Sequence, residues 1–179
     1  MCGRLLRPGK HTLLDLGPAV ETNVAQFAHF SCKLYIEDLY YTLRVHPLSS
    51  TEEGAQSGAI SDLFLAYEST TRFDVILAWD LLNYLDFDTA AAMMAHVRRF
   101  CHQGALVFLL MFALPHIPDM PSKFTVLDAL HLQWEPRSID TRLSPRYTPA
   151  TVTDMMQDFA VLHSYLLRNG LQEYVFVAA

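Results

Sequence analysis

The stretch HTLLDLGPAVETN, residues 11–23, reads as a buried strand that runs into a tight turn and then into a helix. Nucleotide-cofactor domains of the doubly wound type begin with the same three parts, and their turns usually carry two or three glycines. This turn has Gly17 alone. The stretch therefore predicts the first strand and helix of an α/β domain. The missing glycines make cofactor binding at this turn the main functional question.

Apolar runs alternate with amphipathic stretches through most of the chain, a pattern typical of strands interleaved with helices around a mainly parallel sheet. We expect the first helix to bury Val24, Phe27 and Ala28 on one face. The predicted strands lie at 12–16, 33–37, 72–80 and 105–112, and the predicted helices at 21–30, 38–44, 88–104 and 149–159.

The end of the chain predicts a different kind of pairing. Two apolar runs in residues 160–178 flank Asn169-Gly170, a dipeptide that favours an antiparallel hairpin. At 179 residues the chain is long enough for one domain with a substantial core and short for two. We therefore expect a single α/β domain over residues 1–179, with a doubly wound, mostly parallel sheet that ends in an antiparallel hairpin.

Composition and charge exclude several classes of function. The formal charge of −6 and the scattering of the 13 basic residues argue against a nucleic-acid surface, which needs clustered Lys and Arg. The most apolar segment, residues 105–114, is about half the length that a membrane helix needs. The three cysteines and eight histidines show no metal-ligand spacing. We expect a cytoplasmic protein without a metal site.

Residues 114–149 differ from the rest of the chain. Six of the nine prolines fall in this segment, and its apolar residues follow no clear period. Long irregular segments of compact domains often carry function. We therefore expect an irregular insertion, or lid, over the carboxyl edge of the sheet. A second loop is predicted at 48–61, with a weak strand at 58–63.

Four local matches resemble the class I S-adenosylmethionine-dependent methyltransferases. They are LLDLG (13–17), YIE (35–37), DLFLAYESTTRFDVILAWDLLNYL (62–85) and HQGALVFLLM (102–111). The resemblance extends from about residue 10 to residue 178. It implies a Rossmann-like methyltransferase fold with S-adenosylmethionine as cofactor and a small molecule or a protein as substrate.

The resemblance also implies roles for particular residues. Glu37 would accept hydrogen bonds from two ribose hydroxyls, and Asp62 would meet the adenine amino group. Asp80 would lie beside the transferred methyl, where it could orient a nucleophile or take its proton, and Tyr84 is a second catalytic candidate. The full set of implied cofactor contacts is Asp15, Gly17, Ala19, Glu37, Asp62 and Trp79.

Each acidic candidate has a simpler interpretation. Asp15 could be a turn-forming residue, and Glu37 or Asp80 could cap the helix that follows it. Ala19 adds a methyl where the backbone of such a turn approaches the cofactor closely. Two functions therefore remain open. One is an S-adenosylmethionine-dependent methyltransferase, and the other is a catalytically inactive methyltransferase-like binding or regulatory subunit, acting with a protein partner or as a homodimer.

Overall fold

The computed structural model describes residues 10–30, 32–46, 64–128 and 131–179, which contain ten strands and four α-helices. The strands are β1 (His11–Asp15), β2 (Cys32–Ile36), β3 (Phe73–Trp79), β4 (Cys101–Phe112), β5 (His116–Pro118), β6 (Lys123–Val126), β7 (Leu132–Glu135), β8 (Thr141–Leu143), β9 (Phe159–Leu166) and β10 (Leu171–Ala178). The helices are α1 (Glu21–Ala28), α2 (Leu39–Val45), α3 (Phe87–Arg98) and α4 (Pro149–Met155), and a 3-10 helix spans Leu81–Tyr84.

Six of the strands form one sheet in the order β2–β1–β3–β4–β10–β9. β1 pairs in parallel with both β2 and β3, and β3 pairs in parallel with β4. β10 is antiparallel to both β4 and β9. The predicted doubly wound, mostly parallel sheet with a C-terminal antiparallel hairpin is confirmed. Because the chain runs from β1 outward to β2 and then returns to β3, the topological switch point lies between β1 and β3.

The central strands are buried on both faces, as parallel strands covered by helices must be. Leu13 and Leu14 of β1 and Ile76 and Leu77 of β3 have no exposed surface. The neighbouring side chains of each pair belong to different hydrophobic clusters, one on each side of the sheet. The largest cluster contains Met93 among the buried residues of α3. This packing fixes the carboxyl ends of β1 and β3 side by side.

The hairpin turns where the dipeptide predicts it. Gly170 has a φ of 81°, and the side-chain oxygen of Asn169 accepts a hydrogen bond from the Leu171 N–H at 3.2 Å. A Cβ on Gly170 would lie 2.8 Å from Cγ of Leu114. Glycine is therefore required here for both its backbone conformation and its size.

The predicted helix at 88–104 is too long, because α3 ends at Arg98. The Phe73 N–H donates to the Phe100 carbonyl at 2.7 Å, and Cys101 lies opposite Phe73 in the sheet. Gly104, predicted to end the helix, lies inside β4 at an irregularity in the β3–β4 pairing, with a φ of 74°. Pairing with β3 thus prevails over local helix signals.

The predicted buried face of α1 is also wrong in part. Phe27 is buried, but Val24 is 41 % exposed and Ala28 is exposed, whereas Asn23 is buried. The Asn23 amide donates to the Phe124 carbonyl at 2.8 Å and accepts from the Val126 N–H at 2.7 Å. The backbone of β6 covers this face of α1, and a backbone edge needs a polar partner.

The segment 114–149 is more regular than predicted. β5 pairs with β8 and β6 pairs with β7, in two separate antiparallel ladders. Its role as a lid stays a prediction. The loop predicted at 48–61 and the strand at 58–63 lie outside the described residues. Among the described residues, no helix is long and apolar enough to span a bilayer.

We expect Asn23→Ala to lower the free energy of unfolding by about 1–3 kcal/mol, because it leaves a buried carbonyl and a buried N–H of β6 without partners. The matched control is Gln26→Ala in the same helix, since the Gln26 amide donates to the Leu127 carbonyl in exposed surroundings. The control should change stability by about 0.5 kcal/mol or less. Urea denaturation of both variants measures the difference, and equal losses would contradict the assignment.

Candidate functional site

The Asp15 carboxylate joins the ends of β1 and β3. Its Oδ1 accepts a hydrogen bond from the Gly17 N–H at 2.9 Å and another from the Trp79 indole N–H at 2.6 Å. Asp15 is 2 % exposed. The bond to Gly17 is the local contact that a turn-forming aspartate makes. Asp15 therefore builds the turn and at the same time fixes the last residue of the neighbouring strand.

Trp79 takes up the space beside the turn. Its indole is stacked on the Phe124 ring, with the centroids 5.3 Å apart and the planes inclined by 4°. Its φ is 48°, a strained backbone conformation for a residue with a large side chain. A Cβ on Gly17 would lie 2.9 Å from Cδ1 of Trp79. The single glycine of the turn is therefore required for the packing of this indole, and its contact with a cofactor stays a prediction.

Burial raises the pKa of Asp15 to about 6. Loss of hydration is the largest cause, since it penalises the charged carboxylate. The hydrogen bonds from Gly17 and Trp79 lower the pKa, and the negative charge of Asp38 raises it further. The two donors only partly offset the cost of burying the charge.

Glu37 follows β2 and lies next to the β1 turn. Its N–H donates to the Asp15 carbonyl at 2.8 Å, and its Oε1 accepts from the Tyr67 hydroxyl at 2.7 Å. The cap of α2 is Asp38, whose side chain accepts from the Tyr41 N–H at 3.0 Å. The interpretation of Glu37 as the cap of that helix is therefore wrong. The Glu37 carboxylate is half-buried and oriented by a tyrosine at the carboxyl edge of the sheet.

The remaining predicted cofactor residues are placed less tightly. Ala19 and Glu21 are exposed on the outer side of the turn. Asp62 lies outside the described residues. Among the described part of the chain, no group of three or more histidine, cysteine, aspartate or glutamate side chains could hold a metal ion.

Asp80 follows β3 and is 1 % exposed. It occupies the residue before the 3-10 helix but makes no side-chain capping bond, so its interpretation as a helix cap is wrong. Its Oδ2 accepts from the Ser122 N–H at 2.9 Å, whereas its buried Oδ1 has no hydrogen-bond partner. A carboxylate aimed into the interior with one oxygen unpaired is an unusual arrangement.

Burial raises the pKa of Asp80 to about 7. The loss of hydration is the largest cause, and the Ser122 N–H and the positive charge of Arg137 lower the pKa. The Ser122 hydroxyl lowers it too, although its geometry falls short of a hydrogen bond. A carboxyl with a pKa near neutrality can both accept and release a proton at physiological pH.

The partnerless polar atoms of the interior are concentrated near Asp80. Among the described residues, five buried side-chain nitrogen or oxygen atoms have no hydrogen-bond partner. Two of them lie in the turn and 3-10 helix that follow β3, and three lie in the segment that follows β4. They are Asp80 Oδ1, Tyr84 Oη, Asp119 Oδ1, Ser122 Oγ and Trp134 Nε1. Buried groups of this kind are rare in folded proteins, so their concentration in this region calls for an explanation.

Asn83 and Tyr84 illustrate the contrast between structural and candidate functional side chains. The Asn83 amide donates to the carbonyls of Asp80 and Leu110 and accepts from the Phe112 N–H, so it is fully bonded. The Tyr84 hydroxyl has no partner, and burial raises its pKa strongly. Tyr84 therefore stays neutral at physiological pH and can act only as a hydrogen-bonding group.

Two cavities meet at this edge of the sheet. The first, between Gly17, Trp79, Asp80 and Ser122, has a volume of about 10 Å³, which is about the space of one water molecule. The second has a volume of about 520 Å³ and lies over the β5–β8 ladder, against the end of β4. Arg137 lines both cavities. It therefore connects the small cleft at Asp80 with a space large enough for a small molecule.

Sequence reasoning missed the half of the site that comes from the 114–149 segment. Ser122, Arg137, Asp119 and Trp134 stand around Asp80 and Tyr84 only after the chain has folded. No motif or period in the sequence singles them out. The tryptophan and arginines in an unpatterned, proline-rich stretch are the only signal there.

Solved structures that this chain resembles in fold include S-adenosylmethionine-dependent methyltransferases. One from Clostridium acetobutylicum has a TM-score of 0.57 at 12% identity over 99% of this chain and 87% of its own. One from Methanosarcina mazei has a TM-score of 0.52 at 10% identity, and the match covers 99% of this chain and 96% of that one. Magnesium protoporphyrin IX methyltransferase from Synechocystis, solved with bound S-adenosylmethionine, has a TM-score of 0.52 at 14% identity. That match covers 99% of this chain and 73% of the other.

The sequence itself has no such counterpart, since no family model and no curated protein matches it. The chain has the Rossmann-like fold of the class I methyltransferases, as the sequence predicts. At identities this low the likeness establishes the fold alone.

We expect Asp80→Asn to change how stability depends on pH. Between about pH 4, where an ordinary aspartate titrates, and about pH 7, the folded state keeps a proton on Asp80 that the unfolded chain has released. The wild type therefore loses stability as the pH rises through this window. The free energy of unfolding of Asp80→Asn, relative to wild type, should rise from pH 4 to pH 7 and then level off.

Urea denaturation at several pH values provides the measurement. Asp154→Asn, at an exposed aspartate, is the matched control and should show a flat difference. Asp15 contributes in the same direction up to about pH 6, but it does so in all three proteins and cancels. A difference for Asp80→Asn that is independent of pH would show that this carboxyl titrates normally.

Proposed function

We propose that the chain binds S-adenosylmethionine at the carboxyl ends of β1 and β2 and transfers the methyl group to a small molecule held beside Asp80. The observation that carries this proposal is the buried Oδ1 of Asp80, which has no partner and lies next to the only glycine of the β1 turn. The topological switch point is where open α/β sheets bind their ligands. The 520 Å³ cavity favours a small molecule over a protein as the substrate.

The residues at the β2 end fit the cofactor. The Glu37 carboxylate is half-buried and held by Tyr67, so it can accept hydrogen bonds from neighbouring hydroxyls. Ala19 and Glu21 are exposed, which leaves the outer side of the turn open. The inner side is filled by Trp79, and only about 10 Å³ remains next to Asp80. Access of a substrate to Asp80 therefore requires the wall of this cleft to open.

The chemistry asked of the protein is modest. Bound S-adenosylmethionine supplies an activated methyl group, and transfer to a neutral O–H or N–H nucleophile forms the new bond to that methyl, leaves S-adenosylhomocysteine and releases one proton. Asp80 is placed to take this proton on Oδ1, and its pKa of about 7 leaves a large ionised fraction at neutral pH. Arg137 can hold and orient the substrate from the second cavity.

A second candidate is a methyltransferase-like binding or regulatory subunit without catalysis. The packing of Trp79 against Gly17 favours it, because the indole occupies the side of the turn where the glycine would admit a ligand. If the folded protein fails to bind S-adenosylmethionine, the methyltransferase is excluded and this second function remains.

We expect calorimetric titration to show binding of S-adenosylmethionine to the wild type and at least about tenfold weaker binding to Glu37→Ala. A carboxylate bonded to hydroxyls contributes about 1–3 kcal/mol, and 1.4 kcal/mol corresponds to tenfold. Glu68→Ala is the matched control, since Glu68 is an exposed acid close to Tyr67 in sequence and should bind like wild type. Ala19→Gly should bind no worse than wild type, because it removes a methyl from the turn.

The opposite result is equally clear. A folded wild type that shows neither heat nor a thermal shift with millimolar S-adenosylmethionine would exclude the methyltransferase and leave the binding subunit. Equal affinity of Glu37→Ala and Glu68→Ala would instead place the cofactor elsewhere on the sheet.

A further inference from the structure

The 520 Å³ cavity has a wall fixed by core packing. Phe112, Ile117 and Trp134 line it, and the same three residues belong to or pack against a buried cluster with Tyr84. The volume lies within the range of about 300–1,000 Å³ typical of small-molecule sites. This part of the wall is therefore fixed by the core, whereas the side contributed by residues 136–141 is mostly exposed.

The lining favours an aromatic ligand. The half-buried indole of Trp134 offers the open aromatic surface of this wall, and the Phe112 ring, with its centroid 6.1 Å away at an angle of 61°, packs behind it and is 4 % exposed. An aromatic ring packed against another ring is attracted to it beyond the effect of the buried area. Ile139 is 99 % exposed and Leu114 is 42 % exposed at the same cavity. A flat apolar ligand would cover these side chains.

The charge around the cavity favours an anion. None of the described residues that line it is acidic, although the chain as a whole carries a formal charge of −6. Its cation is Arg137, which is exposed and which no salt bridge among the described residues engages. A guanidinium binds a carboxylate through two parallel hydrogen bonds and is more weakly hydrated than an ammonium.

We propose that this cavity binds a planar aromatic molecule with one carboxylate, its ring against Trp134 and the exposed side chains of Leu114 and Ile139, and its carboxylate on Arg137. Arg137 also lines the cleft at Asp80, so a ligand held by Arg137 lies beside the mouth of that cleft. As a substrate site the cavity rests on the proposed methyl transfer. As a binding site it does not, since every residue that carries it lies outside the S-adenosylmethionine contacts.

The test uses 2-naphthoate as the probe, in calorimetric titrations of the whole protein without S-adenosylmethionine. We expect wild type to bind 2-naphthoate at least tenfold more tightly than the neutral 2-naphthamide. Arg137→Gln should lose this preference and bind both compounds with the affinity that wild type has for the amide. Arg137→Lys keeps the charge and should recover part of the preference.

Two controls separate the cavity from general effects. Arg146→Gln removes an exposed arginine of the same segment and should bind 2-naphthoate like wild type. Cyclohexanecarboxylate carries the charge without the aromatic ring and should bind more weakly than 2-naphthoate. Circular dichroism of each variant verifies that it is folded.

Equal binding of 2-naphthoate and 2-naphthamide by wild type, no detectable binding of either, or an unchanged affinity of Arg137→Gln would overturn the proposal. The experiments distinguish a failure of this proposal from a failure of the proposed methyl transfer. If 2-naphthoate binds through Arg137 and S-adenosylmethionine does not bind, the ligand site in the cavity is supported and the methyltransferase function is excluded. If S-adenosylmethionine binds and 2-naphthoate does not, the ligand site in the cavity is excluded and cofactor binding is supported.

Discussion

One oxygen atom of Asp15 links the carboxyl end of β1 to the carboxyl end of β3. It accepts from the Gly17 N–H in its own turn and from the Trp79 indole at the end of the neighbouring strand. Trp79 stacks on Phe124, so the same contact reaches the segment that covers this edge of the sheet. Because Asp15 and Trp79 are buried, the loss of the carboxylate would leave the indole N–H without a partner in the interior. The geometry around the turn, the cover and the small cleft all depend on this one acceptor.

Asp15 and Asp80 are two buried carboxyls, 65 positions apart in numbering, whose surroundings give them different properties. Burial raises the pKa of both, to about 6 and about 7. In Asp15, one oxygen accepts hydrogen bonds from two donors. In Asp80, Oδ2 accepts one N–H and the buried Oδ1 has no partner. The difference between the two carboxyls therefore lies in their hydrogen bonding rather than in the direction of their pKa shifts.

The sequence predicts the parts whose signals are local. Buried strands, the turn after β1 and the Asn-Gly hairpin are all found where their residues indicate, and the strand ends bring Asp80 to the expected edge. The end of α3 was not predictable, because the pairing of Cys101 with Phe73 is decided by a strand about thirty residues earlier. Ser122 and Arg137 could not be foreseen as site residues either, since the order of β5 to β8 follows from contacts with the sheet rather than from any period of their own.

The walls of the large cavity are built mostly outside the six-stranded sheet. Pro136, Ser138, Ile139 and Thr141 line it from the connection between β7 and β8 and from the start of β8, and none of them is part of the buried core. Residues on such connections vary among related proteins without disturbing the elements they join. Surface substitutions on this connection can therefore reshape the outer wall of the cavity without disturbing the buried hydrogen bonds around Asp15.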